Sequence, residues 1–134
     1  MNSVSEEIYW LTLTIIMTAS LWIPYIINRI IEHGALNAFW DPFGDTSTNK
    51  AWAQRMMNSH YNAVENLVIF APLVILVQIY SANTNITATA CMIYFFARLI
   101  HYVSYTFAIP FLRVVTFLAG YGMQLILALT ILDM

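Results

Sequence analysis

The chain has 134 residues, of which 60% are hydrophobic and 9% are charged, and its net charge is −2. A soluble domain carries about 25% charged residues, so this composition indicates an integral membrane protein. Five basic residues are too few to form a track for nucleic acid, and the single cysteine excludes an intramolecular disulfide.

Four apolar segments follow one another along the chain, and each is long enough to cross a bilayer, which takes about 20 residues. Pro24 is expected to bend the end of the first segment. The residues that follow, about 34–50, are predicted to form an interfacial loop, and Trp40 within it and Trp52 just after it are typical of the membrane interface. Turn-forming residues at 81–85 divide a long uncharged run into two spans. The sequence therefore predicts an all-α, four-helix membrane bundle in one domain, 1–134, with helices at about 8–30, 52–80, 86–107 and 112–132.

All five basic residues flank the predicted first and third loops, and none lies near the second loop or either end of the chain. They are Arg29, Lys50, Arg55, Arg98 and Arg113. The positive-inside rule then predicts that these loops face the cytoplasm and that both termini lie outside it.

Two of the predicted spans carry polar and ionisable side chains three or four residues apart, which places them on one face of each helix. Such residues persist inside a bilayer only where they face a partner or a cavity. The second span contributes Arg55, Asn58, Asn62 and Glu65, and the third contributes Tyr94, Arg98, His101 and Tyr105. Because Glu65 and Arg98 lie about four turns from the same short loop, we expect them to form an ion pair.

These two faces have two interpretations. They could be polar contacts that hold the bundle together, or they could bind a zwitterionic or anionic small molecule, for which Arg and Tyr are suitable donors. The second interpretation is favoured because contacts between membrane helices normally use small or uncharged side chains. His60 and His101 lie on different helices with no further ligand at metal spacing, so no metal site is predicted.

The sequence resembles a known family, the membrane-associated proteins in eicosanoid and glutathione metabolism, abbreviated MAPEG. The resemblance extends over about 20–130. It depends on Arg55 with His60-Tyr-Asn62-Ala-Val-Glu65-Asn66, on Arg98-Leu-Ile-His101 with Tyr105, and on Ala108-Ile-Pro110-Phe-Leu-Arg113.

The resemblance implies a homotrimer of four-helix protomers that holds glutathione between adjacent protomers and admits a lipophilic substrate from the membrane lipids. It implies a bacterial-type member in a bacterial inner membrane. Arg113 matches the arginine that favours the thiolate form of glutathione, so it is the candidate catalytic residue. The candidate cofactor-binding residues are Arg29, Arg55, Asn62, Glu65, Arg98, His101 and Tyr105.

Some positions depart from the family pattern. Asn58 and Tyr61 stand where the glutathione-specific eicosanoid enzymes have arginines, and Val114 and Phe117 stand where some members have hydroxyl groups. Each lost charge-assisted contact is worth about 1.5 to 3 kcal/mol, so the two missing arginines predict glutathione binding weaker by more than about a hundredfold.

The sequence thus leaves two hypotheses for the function. One is a glutathione-dependent transferase or peroxidase, and the other is a noncatalytic accessory subunit of a larger assembly with other membrane subunits. A transporter ranks third because no broken-helix repeat is visible.

Overall fold

The computed structural model describes residues 4–44 and 47–134, so positions 1–3 and 45–46 of the predicted domain lie outside the described part. Within that part the secondary structure is entirely helical. Four segments are long and apolar enough to cross a membrane, which confirms the predicted four-helix membrane bundle. The helices are α1 (Glu6–Ser20), α2 (Ile23–His33), α3 (Ala35–Phe39), α4 (Ala51–Ile79), α5 (Asn85–Thr106) and α6 (Pro110–Leu132).

The first span, Glu6–His33, is interrupted between α1 and α2. The interruption falls at Leu21 and Trp22, and Pro24 stands in the first turn of α2, where a missing amide hydrogen costs least. The hydroxyl of Tyr102 on α5 donates to the carbonyl of Leu21 over 2.8 Å. This bond satisfies a backbone acceptor that the interruption exposes, and an unpaired acceptor would be costly in lipid.

Helix α5 is the centre of the bundle. It packs against α1, α4 and α6, and α4 also contacts α1 and α6. Twice as large a share of α5 is buried as of any other span, 44% against 22%. The two predicted polar faces, on the second and third spans, therefore lie on the two helices that contact the most other helices.

The bundle has two distinct ends. The basic end carries the first loop, between α3 and α4, and the third loop, between α5 and α6, and all five basic residues lie in the half next to it. The terminal end carries the start of α1, the α4–α5 loop and the end of α6. Ser81 and Ala108, in the α4–α5 and α5–α6 loops, both adopt positive φ angles, 53° and 57°, which lets these connections turn sharply.

The main apolar core lies toward the terminal end. The rings of Phe70 on α4 and Tyr94 on α5 stack with their centroids 3.6 Å apart, and both side chains are fully buried. Around them pack apolar side chains from α1, α4 and α6, namely Leu11, Val74, Val77 and Leu127. The core therefore joins all four spans.

The segment around α3 keeps its large apolar side chains outside the protein. Leu36, Phe39, Trp40 and Phe43 are all at least 75% exposed. Polar contacts meanwhile fasten the loop to α2, because Nε2 of His33 is 2.8 Å from the carbonyl of Ser47. An apolar surface beside a span is typical of the headgroup region of a bilayer.

Candidate functional site

Arg98 lies inside the protomer, between α4 and α6, and is 2% exposed. Its Nη1 donates to Oδ1 of Asn62 over 3.1 Å, and its Nη2 donates to the carbonyl of Phe117 over 3.2 Å. The guanidinium carbon also lies 5.4 Å from the ring centroids of both Tyr94 and Phe117. Carbonyl oxygens and aromatic faces thus surround this cation.

Gly120 on α6 makes this position possible. A Cβ atom at Gly120 would lie 2.8 Å from Nε of Arg98 and would overlap with Nη2. The glycine therefore opens a notch in α6 that the guanidinium fills. The sequence indicates that this glycine allows a close approach, but only the structure identifies what approaches it.

The predicted ion pair between Glu65 and Arg98 is wrong. Among residues 4–44 and 47–134 the structure contains one ion pair, between Arg29 and Asp41. Asn66 on α4 is buried, and the neighbouring Glu65 is rotated by about 100° around the helix axis onto the exposed surface. The ion pair was predicted from how far the two residues lie from the loop, and that distance does not tell which side of the helix a residue faces.

Three predicted residues meet where α5 turns into α6. Nδ1 of His101 lies 3.0 Å from the carbonyl oxygen of Arg113, which joins the two helices. The guanidinium carbon of Arg113 lies 4.8 Å from the ring centroid of Tyr105, and that ring packs edge-on against His101 with centroids 5.7 Å apart. Arg113 and Tyr105 are both partly exposed, so this cation and its aromatic support are open to a ligand.

The four arginines differ in what holds them. Arg29 is 3.4 Å from Asp41, Arg55 donates from Nε to the carbonyl of Thr106 over 2.8 Å, and Arg98 is bonded as described above. The guanidinium of Arg113, in contrast, has no hydrogen bond or ion pair within the described residues and lies over the Tyr105 ring. Of these four arginines, Arg113 is partly exposed and is the one whose guanidinium makes no hydrogen bond or ion pair to another described residue.

Arg29 belongs to a different part of the molecule. It lines a cavity of about 380 Å³ between α2, the first loop and α4, and Tyr25, Thr48, Gln54 and Tyr61 also line this cavity. The described residues that line it do not include His101, Tyr105 or Arg113. Sequence analysis also missed the hydrogen bond between the Tyr25 hydroxyl and Nδ1 of His60, 2.7 Å long, because two residues 35 positions apart carry no local signal.

The protomer thus brings together only some of the predicted residues. Asn62 contacts Arg98, and His101, Tyr105 and Arg113 form one group. Arg55 is bonded to the end of α5 at Thr106, beside that group, whereas Glu65 and Arg29 lie elsewhere. In the described part of the chain, no three His, Cys, Asp or Glu side chains are arranged to hold a metal ion.

A model of one protein family, the MAPEG family, matches residues 8–132, which is nearly the whole chain. No curated protein and no solved structure matches the sequence.

Proposed function

The chain belongs to the MAPEG family, and from that premise we propose that it is a glutathione-dependent transferase or peroxidase acting on a lipophilic substrate. It is an integral multi-pass membrane protein. One observation carries the proposal: the guanidinium of Arg113 is held over Tyr105 at a partly exposed surface with its donors unused within the described residues. A cation in that state can stabilise a thiolate, the nucleophilic form of a thiol.

The residues present fit glutathione, which has two carboxylates, an ammonium group and a thiol. Arg113 offers donors for an anion, and Glu65 offers an exposed carboxylate for a cation. Glutathione would supply the nucleophilic sulfur. Arg113 holds the negative charge beside it, and Tyr105 keeps the guanidinium in place.

We further propose that the site is completed by a second copy of the chain in a homotrimer. Glu65 supports this assembly because it is exposed near the middle of α4. An ionisable group in contact with lipid costs at least about 2.5 kcal/mol, so a covering protein surface is favoured. In a bacterial inner membrane, the five basic residues at one end favour both termini lying outside the cytoplasm.

The alternative is a noncatalytic accessory subunit that binds other membrane subunits. Its support is that Arg55 and Arg98 are engaged inside the protomer, while Asn58 and Tyr61 occupy positions where a glutathione-specific enzyme has arginines. Among the described residues, Arg113 is then the one arginine of the predicted site whose guanidinium has no hydrogen bond or ion pair.

An experiment on Arg113 distinguishes the enzyme from the accessory subunit. Isothermal calorimetry on purified wild-type protein is expected to detect glutathione binding at millimolar concentration. Arg113→Leu is expected to lower the rate of thiol addition to a lipophilic electrophile by about 100-fold or more, because it removes the cation beside the sulfur. Lys50→Leu is the matched control: it removes an exposed cation at the same end of the bundle and should leave turnover unchanged.

The melting temperature and oligomeric state of Arg113→Leu should equal those of the wild type, since the side chain is partly exposed and makes no hydrogen bond within the described residues. Full turnover in this variant, or a wild-type protein that binds no glutathione, would overturn catalysis in favour of the accessory subunit.

A further inference from the structure

His101 is almost completely enclosed, with 4% of its surface exposed. It lies on the side of α5 that faces the start of α6, and Thr116 and Phe117 cover it. A side chain enclosed in this way has little surface left for contact with a ligand. Its effect on a reaction must therefore pass through the residues that it touches.

The contacts of His101 determine its tautomer. The carbonyl of Arg113, 3.0 Å from Nδ1, can only accept a hydrogen bond, so Nδ1 must carry the proton and donate it. Nε2 is buried and has no hydrogen-bond partner in the described part of the chain. The bond to Arg113 is thus the one strong polar contact that fixes the orientation of this ring.

His101 contacts the backbone of Arg113 directly and is linked to its guanidinium through one intervening ring. It binds the Arg113 backbone through the carbonyl oxygen, and its ring supports the Tyr105 ring on which the Arg113 guanidinium lies. The α5–α6 connection consists only of residues 107–109. Backbone and guanidinium of Arg113 therefore both take their position from α5.

We propose that His101 is a positioning residue: it sets the location of the Arg113 guanidinium through the Arg113 carbonyl and the Tyr105 ring, and it does not contact the ligand. This inference rests on the proposed thiol chemistry of Arg113. A guanidinium displaced by about 1 Å from the sulfur loses much of its effect on the reaction, so a positioning residue changes turnover more than ligand binding.

Two substitutions distinguish this role from a direct contact. The amide nitrogen of Asn lies close to the location of Nδ1, whereas that of Gln lies close to the location of Nε2. His101→Gln is expected to lower kcat about 10-fold while KM for glutathione changes less than about 2-fold. His101→Asn retains a donor for the Arg113 carbonyl and is expected to recover most of the lost kcat.

A direct contact with glutathione would instead raise KM in both variants, and equal kcat values for Asn and Gln would also overturn the proposal. A merely structural role would lower the melting temperature of both variants without separating their kcat values.

A second measurement is independent of turnover. In ¹⁵N-arginine-labelled protein, the Nε–H resonance of Arg113, assigned by its loss in Arg113→Lys, should show the shielding of a group held over an aromatic ring. His101→Gln should lose that shift and His101→Asn should keep it. If wild-type protein has no activity, the proposed function fails, and this spectrum alone decides the positioning role: an unchanged shift in His101→Gln overturns it.

Discussion

The two ends of the bundle differ in how buried acidic and basic side chains are hydrogen-bonded. At the terminal end, the carboxylate of Glu7 is 3% exposed and accepts a hydrogen bond from the hydroxyl of Thr87. The same threonine forms a capping box with Thr84 at the start of α5. At the basic end, Nε of Arg98 and Nε2 of His101 are buried and have no hydrogen-bond partner in the described residues.

This difference indicates which end of the molecule is built for stability and which for function. A buried polar group without a partner costs about 1 to 3 kcal/mol, and folded proteins retain such groups mainly where function requires them. The terminal end combines a paired carboxylate with the stacked rings of Phe70 and Tyr94, and its one departure is the Tyr94 hydroxyl near the middle of α5, which has no hydrogen-bond partner in the described residues. At the basic end Arg113 is partly exposed, and side chains of α5 are hydrogen-bonded to backbone carbonyls of α6.

The largest expected effect is at the basic end. Gly120→Ala places a methyl group where the Arg98 guanidinium lies, so it forces a buried cation out of its contacts. We expect destabilisation by about 3 kcal/mol or more, measured as a lower melting temperature in detergent. Gly122→Ala is the matched control, because nothing lies within 4 Å of its added Cβ. Equal melting temperatures for the two variants would contradict the conclusion that the Arg98 guanidinium fills a notch in α6.

An intermediate effect is expected at the terminal end. Thr87→Val keeps the shape of the side chain but removes the donor to Glu7 and the capping bond to the amide of Thr84. We expect a loss of about 2 kcal/mol in the free energy of unfolding, with unchanged thiol chemistry. Thr89→Val, on an exposed part of the same helix, should cost much less. A loss of activity in Thr87→Val at constant stability would mean that the two ends are coupled.

The smallest effect is expected for Glu65→Gln. Because Glu65 is exposed on the single protomer and forms no ion pair within the described residues, its neutralisation should change the melting temperature of dissociated protomers by less than about 2 °C. A large decrease would indicate that Glu65 pairs with a cation from another copy of the chain. Measurements on the assembled protein and on dissociated protomers would separate these outcomes.

The sequence was sufficient for the fold because membrane helices have a strong local signal. A run of about 20 apolar residues must cross the bilayer as a helix, and the turn-formers near Ser81 and the proline at position 110 divide these runs. The short helix α3 was not predicted, since its five residues follow no long periodic pattern.

The candidate site was less predictable. Spacing placed His101 and Tyr105 on one face of α5, and the structure joins both to Arg113. The same reasoning paired Arg98 with Glu65, although its actual partners are Asn62, a backbone carbonyl and a notch at a glycine. Every residue has a backbone carbonyl, and a gap beside a glycine does not show in the spacing of side chains. Partners of these two kinds are therefore identified only by the structure.

The notch at Gly120 also has a consequence for biogenesis. Alone in a bilayer, α5 would carry the charge of Arg98 into lipid, because Asn62, the Phe117 carbonyl and the notch belong to α4 and α6. The translocon therefore releases α5 at the lowest cost when α6 has already emerged beside it. The three-residue connection at 107–109 is short enough to deliver the two helices to the lipid as one inserted hairpin.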